Sequence, residues 1–262
     1  MTAAAPATVS LAEFAAGARP PQVQLDSAAR TLAAALAAGR DRARSAAVES
    51  ALGAAAVYET EPRAGLIGRS ERLAPTWAAL VNGVSSNAAV VAAALAIGDD
   101  RDLTVGEVST AIAIGLEAGH RIESSLAGAE GRRAWAAGAA GAAIGAATAA
   151  GRLAGLTVPQ LTFAIALAAT QAGGIGGDGS GLTAGRAAFN AVEASALAAA
   201  GFTGPPTAIE GRRGLSALTA PGASMETLLD RLGEVWATAG EPAGGLLGLG
   251  AGRRVRELLG RQ

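Results

Sequence analysis

Glycines spaced by four inside an alanine-rich, uncharged run constrain this chain more than any other feature. Gly141 and Gly145, then Gly151 and Gly155, recur at the interval that brings residues onto one face of an α-helix. On such a face no side chain intervenes, so a second backbone can approach closely. The motif is best known in membranes, but the geometry is general. Composition points the same way. Half of the 262 residues are hydrophobic, yet only 3% are aromatic, and most of the apolar content is Ala, the best helix former. Such a chain packs helices through small side chains and has few large anchors. Runs of alternating β-branched and aromatic residues are almost absent. The reading is an all-α, Ala/Gly-rich helical bundle.

Helix starts are marked by three capping boxes, in which a hydroxyl accepts from a free helix N–H and an acid or amide three residues on reaches back. They are Ser10 with Glu13, Thr104 with Glu107, and Thr157 with Gln160, the last with Pro159 in the first turn. The helix after Thr104 carries Val105, Val108, Ile112 and Leu116 on one stripe, with Glu117 and Arg121 as an i,i+4 pair on another. Breaks fall at 61–68, 173–181, 204–214 and 240–252, the last setting off a final short helix at 253–261. The run 134–151 is uncharged but holds few large apolar side chains, whereas a membrane span needs about 20 predominantly apolar residues. It reads as a buried helix. Residues 1–19 lack a basic start and are broken by Pro6, Ser10 and Glu13, so no signal peptide and a cytoplasmic protein are expected.

Charge and residue usage exclude several chemistries. The net charge of −1 provides no electrostatic footprint for nucleic acid or an anionic membrane. All 21 basic residues are Arg, so Schiff-base chemistry and a P-loop lysine are excluded. The chain has no Cys and one His, which removes thiolate chemistry and a multi-histidine metal site within one subunit. Gly174 to Gly179 fits G-x-G-x-x-G, but a helix precedes it where a dinucleotide loop needs a strand. It reads as a helix–helix loop, or as a lid if it lies over a pocket. His120 sits late in the Thr104 helix, where the dipole at a helix C-terminus favours it; acid–base work is the alternative. Asp99, Asp100 and Asp102 precede that helix, where negative charge offsets its N-terminal dipole, a cation site being the alternative. The pairs Arg132-Arg133, Arg212-Arg213 and Arg253-Arg254 read as solvated surface charge, with carboxylate clamps as the alternative.

Several segments in order carry a family resemblance. They are LAEFAAGAR at 11–19, WAALVNG at 77–83, GEVSTAIAIGLEAGHRI at 106–122 and GAATAAGRLAGLTVPQL at 145–161. The longest follows, LTAGRAAFNAVEASALAAAGFTGPPTAIEGRRGL at 182–215, and then LGEVW at 232–236. Together these resemble the MmgE/PrpD family, which includes 2-methylcitrate dehydratase, cis-aconitate decarboxylase and iminodisuccinate epimerase. The resemblance implies a large helical domain, usually a homodimer, with no metal or organic cofactor. It places that domain at 1–240, followed at 241–262 by a Gly-rich segment and short helix where the family's smaller α+β domain would stand.

The departures concern the chemistry. Asn87 stands where the family has a His, and the acidic loop that follows is missing. Trp135 matches a family aromatic, but Ala136 takes the next His position. Ser180 and Thr183 replace a Lys and a His. Abstracting a proton beside a carboxylate needs a base and cationic groups, and these four positions supply neither. Asn87, Trp135, Ser180 and Thr183 are therefore candidate binding residues for a neutral or weakly charged small molecule, with no catalytic residue assigned. Without the smaller domain, that side of the pocket is expected to be open, or covered by a partner or the C-terminal helix. One reading is a repurposed enzyme of specialised metabolism, of cyclase or isomerase type. The other is a non-catalytic ligand-binding protein or a partner subunit of a full-length relative.

Overall fold

In the computed structural model, residues 5–58, 61–127, 137–172, 181–237 and 250–259 are described. The order is α1 (Ala7–Gly17), α2 (Gln22–Asp41), α3 (Ala46–Ala55), β1 (Ala64–Gly65), β2 (Arg72–Leu73), α4 (Pro75–Ser86), α5 (Ala89–Asp100) and α6 (Val105–Ala127). Then come α7 (Ala137–Leu153), α8 (Val158–Thr170), α9 (Leu182–Ala199) and the short helices α10 (Leu215–Thr219), α11 (Met225–Leu229) and α12 (Arg256–Leu259). Among the described residues the fold is all-α apart from one small antiparallel hairpin, in which Ala64 faces Leu73 and Gly65 faces Arg72. Among the described residues no helix is long and apolar enough to cross a membrane.

The alanine-rich run forms α7, which packs against α1, α5, α6, α8 and α9. Small side chains permit this, because a helix at the centre of five others must let each approach closely. The first glycine pair does what its spacing implies. A Cβ on Gly119 would lie 2.6 Å from the Gly141 carbonyl oxygen, and one on Gly141 would lie 2.6 Å from that of Gly119. Gly115 faces Gly145 in the same way. The second pair does not repeat this. Gly151 makes room for the Leu161 side chain, and Gly155 lies beyond the end of α7 with φ of 68°, as the left-handed residue that closes a helix.

Two of the three capping boxes form. Thr104 N–H and Oγ1–H donate to Glu107 Oε2 at 2.8 and 2.7 Å, and Glu107 N–H donates back to Thr104 Oγ1 at 3.3 Å. Thr157 and Gln160 open α8 likewise. The Ser10 box is overturned, because α1 begins at Ala7 and Ser10 N–H already bonds the Pro6 carbonyl at 2.9 Å. One free N–H of α1 is met from across the chain. Thr8 N–H and Oγ1–H both donate to Glu210 Oε2, at 3.2 and 2.7 Å.

The aspartates do not serve mainly to offset the α6 dipole, as the sequence reading expects. Asp99 is buried at the end of α5, accepts from Gly65 N–H at 2.8 Å and pairs with Arg72 at 3.0 Å. Asp100 faces Arg63 at 3.3 Å, and Asp102 pairs with Arg254 and Arg256. Buried Asn82 ties the same hairpin, accepting from Ile67 N–H at 2.9 Å and donating to Gly65 O at 3.1 Å. Residues 250–259 dock beside the start of α6, where Val105 N–H and Gly106 N–H donate to the carbonyls of Arg253 and Ala251. Arg253 also pairs with Glu257, so the 253-254 arginines are spent on the fold, whereas Arg212 and Arg213 are exposed.

The Glu117–Arg121 pair forms at 2.6 Å, with side chains only 1% and 5% exposed. Arg121 also donates to the carbonyls of Leu228, Asp230 and Val235, at 3.1, 2.7 and 2.5 Å. Glu117 accepts from Ala237 N–H at 2.9 Å. One ion pair thus holds the segment 228–237 against α6.

Three outcomes follow from this packing. Gly119→Ala forces a methyl into a carbonyl and lowers stability in urea denaturation by roughly 1–3 kcal/mol. Gly53→Ala, in α3 with nothing within 4 Å of the added carbon, raises it by about 0.4–1 kcal/mol; equal effects would refute the close approach. Arg121→Met strands a buried carboxylate, costs about 3–5 kcal/mol, and speeds proteolysis between Leu228 and Ala237. Unchanged cleavage there would contradict the clamp.

The third concerns pH. The Glu107 carboxyl is held below its ordinary 4.5, first by the Thr104 hydroxyl and then by the Thr104 N–H. Its folded value is depressed, so its contribution is complete above the unfolded value and is lost as pH falls below about 4.5 toward the folded one. Glu107→Gln keeps a capping partner without the charge, and makes the acid limb of stability against pH shallower in thermal melts.

Candidate functional site

A cleft of about 410 Å³ opens where α2, the start of α5, α6 and α7 meet. Its walls are mostly small and apolar: Ala88 to Val91 from the α4–α5 junction, and Gly138, Gly141 and Ala142 from α7. From α2 come two hydroxyls, Ser27 and Thr31, the latter donating to the Ser27 carbonyl at 3.1 Å. From α6 come Leu116, Gly119, His120 and Glu123, spaced i, i+3, i+4, i+7 and so on one stripe.

His120 and Glu123 are the titratable groups on this wall. His120 Nε2 lies 3.4 Å from Ser124 Oγ, one turn on. Glu123 lies over α7, where a Cβ on Gly138 would come within 3.2 Å of Glu123 Oε1 and one on Gly141 within 3.2 Å of Glu123 Cβ. The glycines of α7 thus make room for this carboxylate as well as for the α6 backbone. The placement of His120 corrects the helix-terminus reading. Its helix continues to Ala127, nearly two turns further, so free terminal carbonyls are not its partners. The exposed imidazole faces the cleft instead.

An imidazole and a carboxylate on one wall, beside two hydroxyls and among methyl groups, form a setting for proton transfer on a small, largely apolar molecule. Among the described residues the lining contains no Arg, so these residues form no clamp for a polyanion. Among the described residues no group of three or more His, Cys, Asp or Glu side chains converges as a set of metal ligands.

Of the residues named from sequence, two are described. Asn87 is the C-cap of α4, exposed, with φ of 55° and ψ of 34°, and its N–H donates to the Gly83 carbonyl at 2.9 Å. This left-handed residue turns the chain from α4 into α5 and so sets Ala88 to Val91 on the cleft wall. Thr183 is half-buried in the first turn of α9. The two helix ends adjoin, since a Cβ on Gly83 would meet Gly185 Cα at 2.6 Å. Neither Asn87 nor Thr183 lines the cleft. Trp135 and Ser180 lie outside the described residues, as do Ala136, Arg132, Arg133 and the glycine motif at 174–179. Sequence reasoning weighed His120 mainly as a helix-end residue and passed over Glu123. The i, i+3, i+4, i+7 stripe through Leu116, Gly119, His120 and Glu123 was the available signal.

No curated protein matches the chain. The family model of the MmgE/PrpD N-terminal domain matches residues 9–228. That stretch runs from α1 through α11 and holds every residue of the cleft, and on it the chain belongs to the MmgE/PrpD family.

Proposed function

We propose that the chain is a repurposed MmgE/PrpD-type protein that binds a neutral or weakly charged small molecule in the His120 cleft and isomerises or cyclises it there. The observation that carries this reading is the described lining, an apolar cleft whose ionisable groups there are one imidazole and one carboxylate. A single imidazole can take a proton from one carbon and return it to another, so such a rearrangement balances without a co-reactant. Glu123 would act as the partner acid or base, and Ser27 and Thr31 would orient polar groups by hydrogen bonds. A tricarboxylate suits this site poorly, because Glu123 repels it and no Arg of the described lining offsets that repulsion. Asn87 would act through the turn that sets Ala88 to Val91 on the wall, and Trp135, Ser180 and Thr183 stay proposed binding residues on the family resemblance alone.

The test begins with native mass spectrometry on chain purified from its producing cells. A small molecule should co-purify, and Ala142→Trp, which fills the cleft, should remove it while circular dichroism stays helical. His120→Asn should keep the ligand but accumulate unreacted substrate, with turnover down by roughly 10²-fold or more. Trp135→Ala should weaken retention; unchanged retention would take Trp135 out of the site. A ligand that His120→Asn neither enriches nor alters would leave a binding module and end the enzyme reading. Turnover of 2-methylcitrate or cis-aconitate should be undetectable, and measurable turnover of either would refute the proposed change of substrate.

A further inference from the structure

A second groove, of about 410 Å³, runs between α3, α4 and α9 and shares no lining residue with the His120 cleft. Its α3 wall is built from Ala47, Ser50, Ala51 and Ala54, so it is small-sided and leaves open space. Opposite stands Trp77, and at the α9 end Arg186. In a chain that is only 3% aromatic, three rings gather here. Tyr58 stacks on Trp77 with centroids 5.0 Å apart, and Phe189 meets Trp77 edge-on at 5.3 Å. Trp77 is thereby a pre-set apolar wall, and a ligand laid on it loses little to side-chain ordering.

Arg186 supplies the polarity. Its guanidinium lies 4.7 Å from the centroid of Phe189 and donates through one nitrogen to Asn190 Oδ1 at 3.2 Å. Both contacts orient the group and neither neutralises it. Among the described residues no acidic side chain lines the groove, and Arg186 is the one charged residue of that lining. A carboxylate would gain a charge-assisted hydrogen bond to this exposed cation that a neutral ligand could not make, a cationic one would be repelled, and a polyanion would find a single positive charge. We infer that this groove is a binding site for a small amphiphilic monocarboxylate, its apolar body over Trp77 and its head group on Arg186. The volume lies in the range of small-molecule pockets, roughly 300–1,000 Å³.

Hydrocinnamate and the matching alcohol, hydrocinnamyl alcohol, separate charge from shape. Isothermal titration of the full chain should show saturable binding of the acid and roughly tenfold weaker binding of the alcohol. Arg186→Gln should weaken the acid by roughly tenfold or more and leave the alcohol almost unchanged. Ala51→Trp should block both from the opposite wall with Arg186 intact, and circular dichroism should show both variants folded. No saturable binding of the acid, equal binding of acid and alcohol, or an acid affinity indifferent to Arg186→Gln would each overturn the site. Sedimentation supplies a further arm. If Ala51→Trp dissociates an oligomer and leaves acid binding unchanged, the groove is an interface between copies of this chain and not a ligand site.

Discussion

The contact between the backbones of α6 and α7 fixes everything else on α6. Gly115 and Gly119 lie against Gly145 and Gly141 with no side chain between them, so no rotamer choice can shift the two helices. Each glycine in a helix interior costs about 0.5–1 kcal/mol relative to Ala, and the close packing must outweigh that cost. In return the faces of one helix are divided. Gly115 and Gly119 meet α7, Leu116, His120 and Glu123 face the cleft, and Glu117 with Arg121 holds the segment 228–237. Because these stripes are set by helix geometry alone, the position of His120 inherits the precision of the glycine contact.

A core of alanines provides few large anchors, and buried polar ties take over the task of specifying which chain ends meet. Thr8 with Glu210 joins α1 to the turn before α10, and Arg152 donates to the carbonyls of Ala15 and Ala16 at the other end of α1. Asn82 and Asp99 hold the hairpin, and Arg121 holds the strap that follows α11. Each tie satisfies backbone groups that secondary structure leaves open, so losing one partner costs the full desolvation of the other. Methyl–methyl contacts are nearly interchangeable along an alanine face, whereas a hydrogen bond is not, and the ties therefore supply register.

Local signals in the sequence were readable where the competing interactions are local. The Thr104 and Thr157 boxes and the Gly141–Gly145 pair each depend on residues within a turn or on one face. Ser10 fails because an equally good start lies at Ala7, made so by Glu210 about two hundred positions away. Gly155 has the right spacing, but its helix has already ended, and spacing alone does not carry the end point. Glu117 and Arg121 were legible as a pair, but their burial was not, since it comes from carbonyls more than one hundred residues distant. The candidate site was legible in the same measure. The resemblance implies where family chemistry would be missing, whereas the cleft stripe on α6 becomes evident only once α2 and α7 are packed beside it.

Asn87 indicates how such a scaffold would tolerate the loss that the resemblance implies. The resemblance places a His there, and the backbone at that point is left-handed, with φ of 55°. Among residues other than Gly, Asn, Asp and His are the ones enriched in this region. The exchange of His for Asn that the resemblance implies would therefore keep the turn between α4 and α5, and with it the wall from Ala88 to Val91, while removing the acid–base group. The fold at this position is specified by backbone conformation, and the chemistry by the side chain, so the two can part. In the function proposed above, proton transfer has moved to His120 on α6, a helix already fixed against α7 by its glycines. That relocation needs no repacking, because the Leu116–His120–Glu123 stripe borders the Gly119 contact with α7 and leaves the Glu117–Arg121 face untouched.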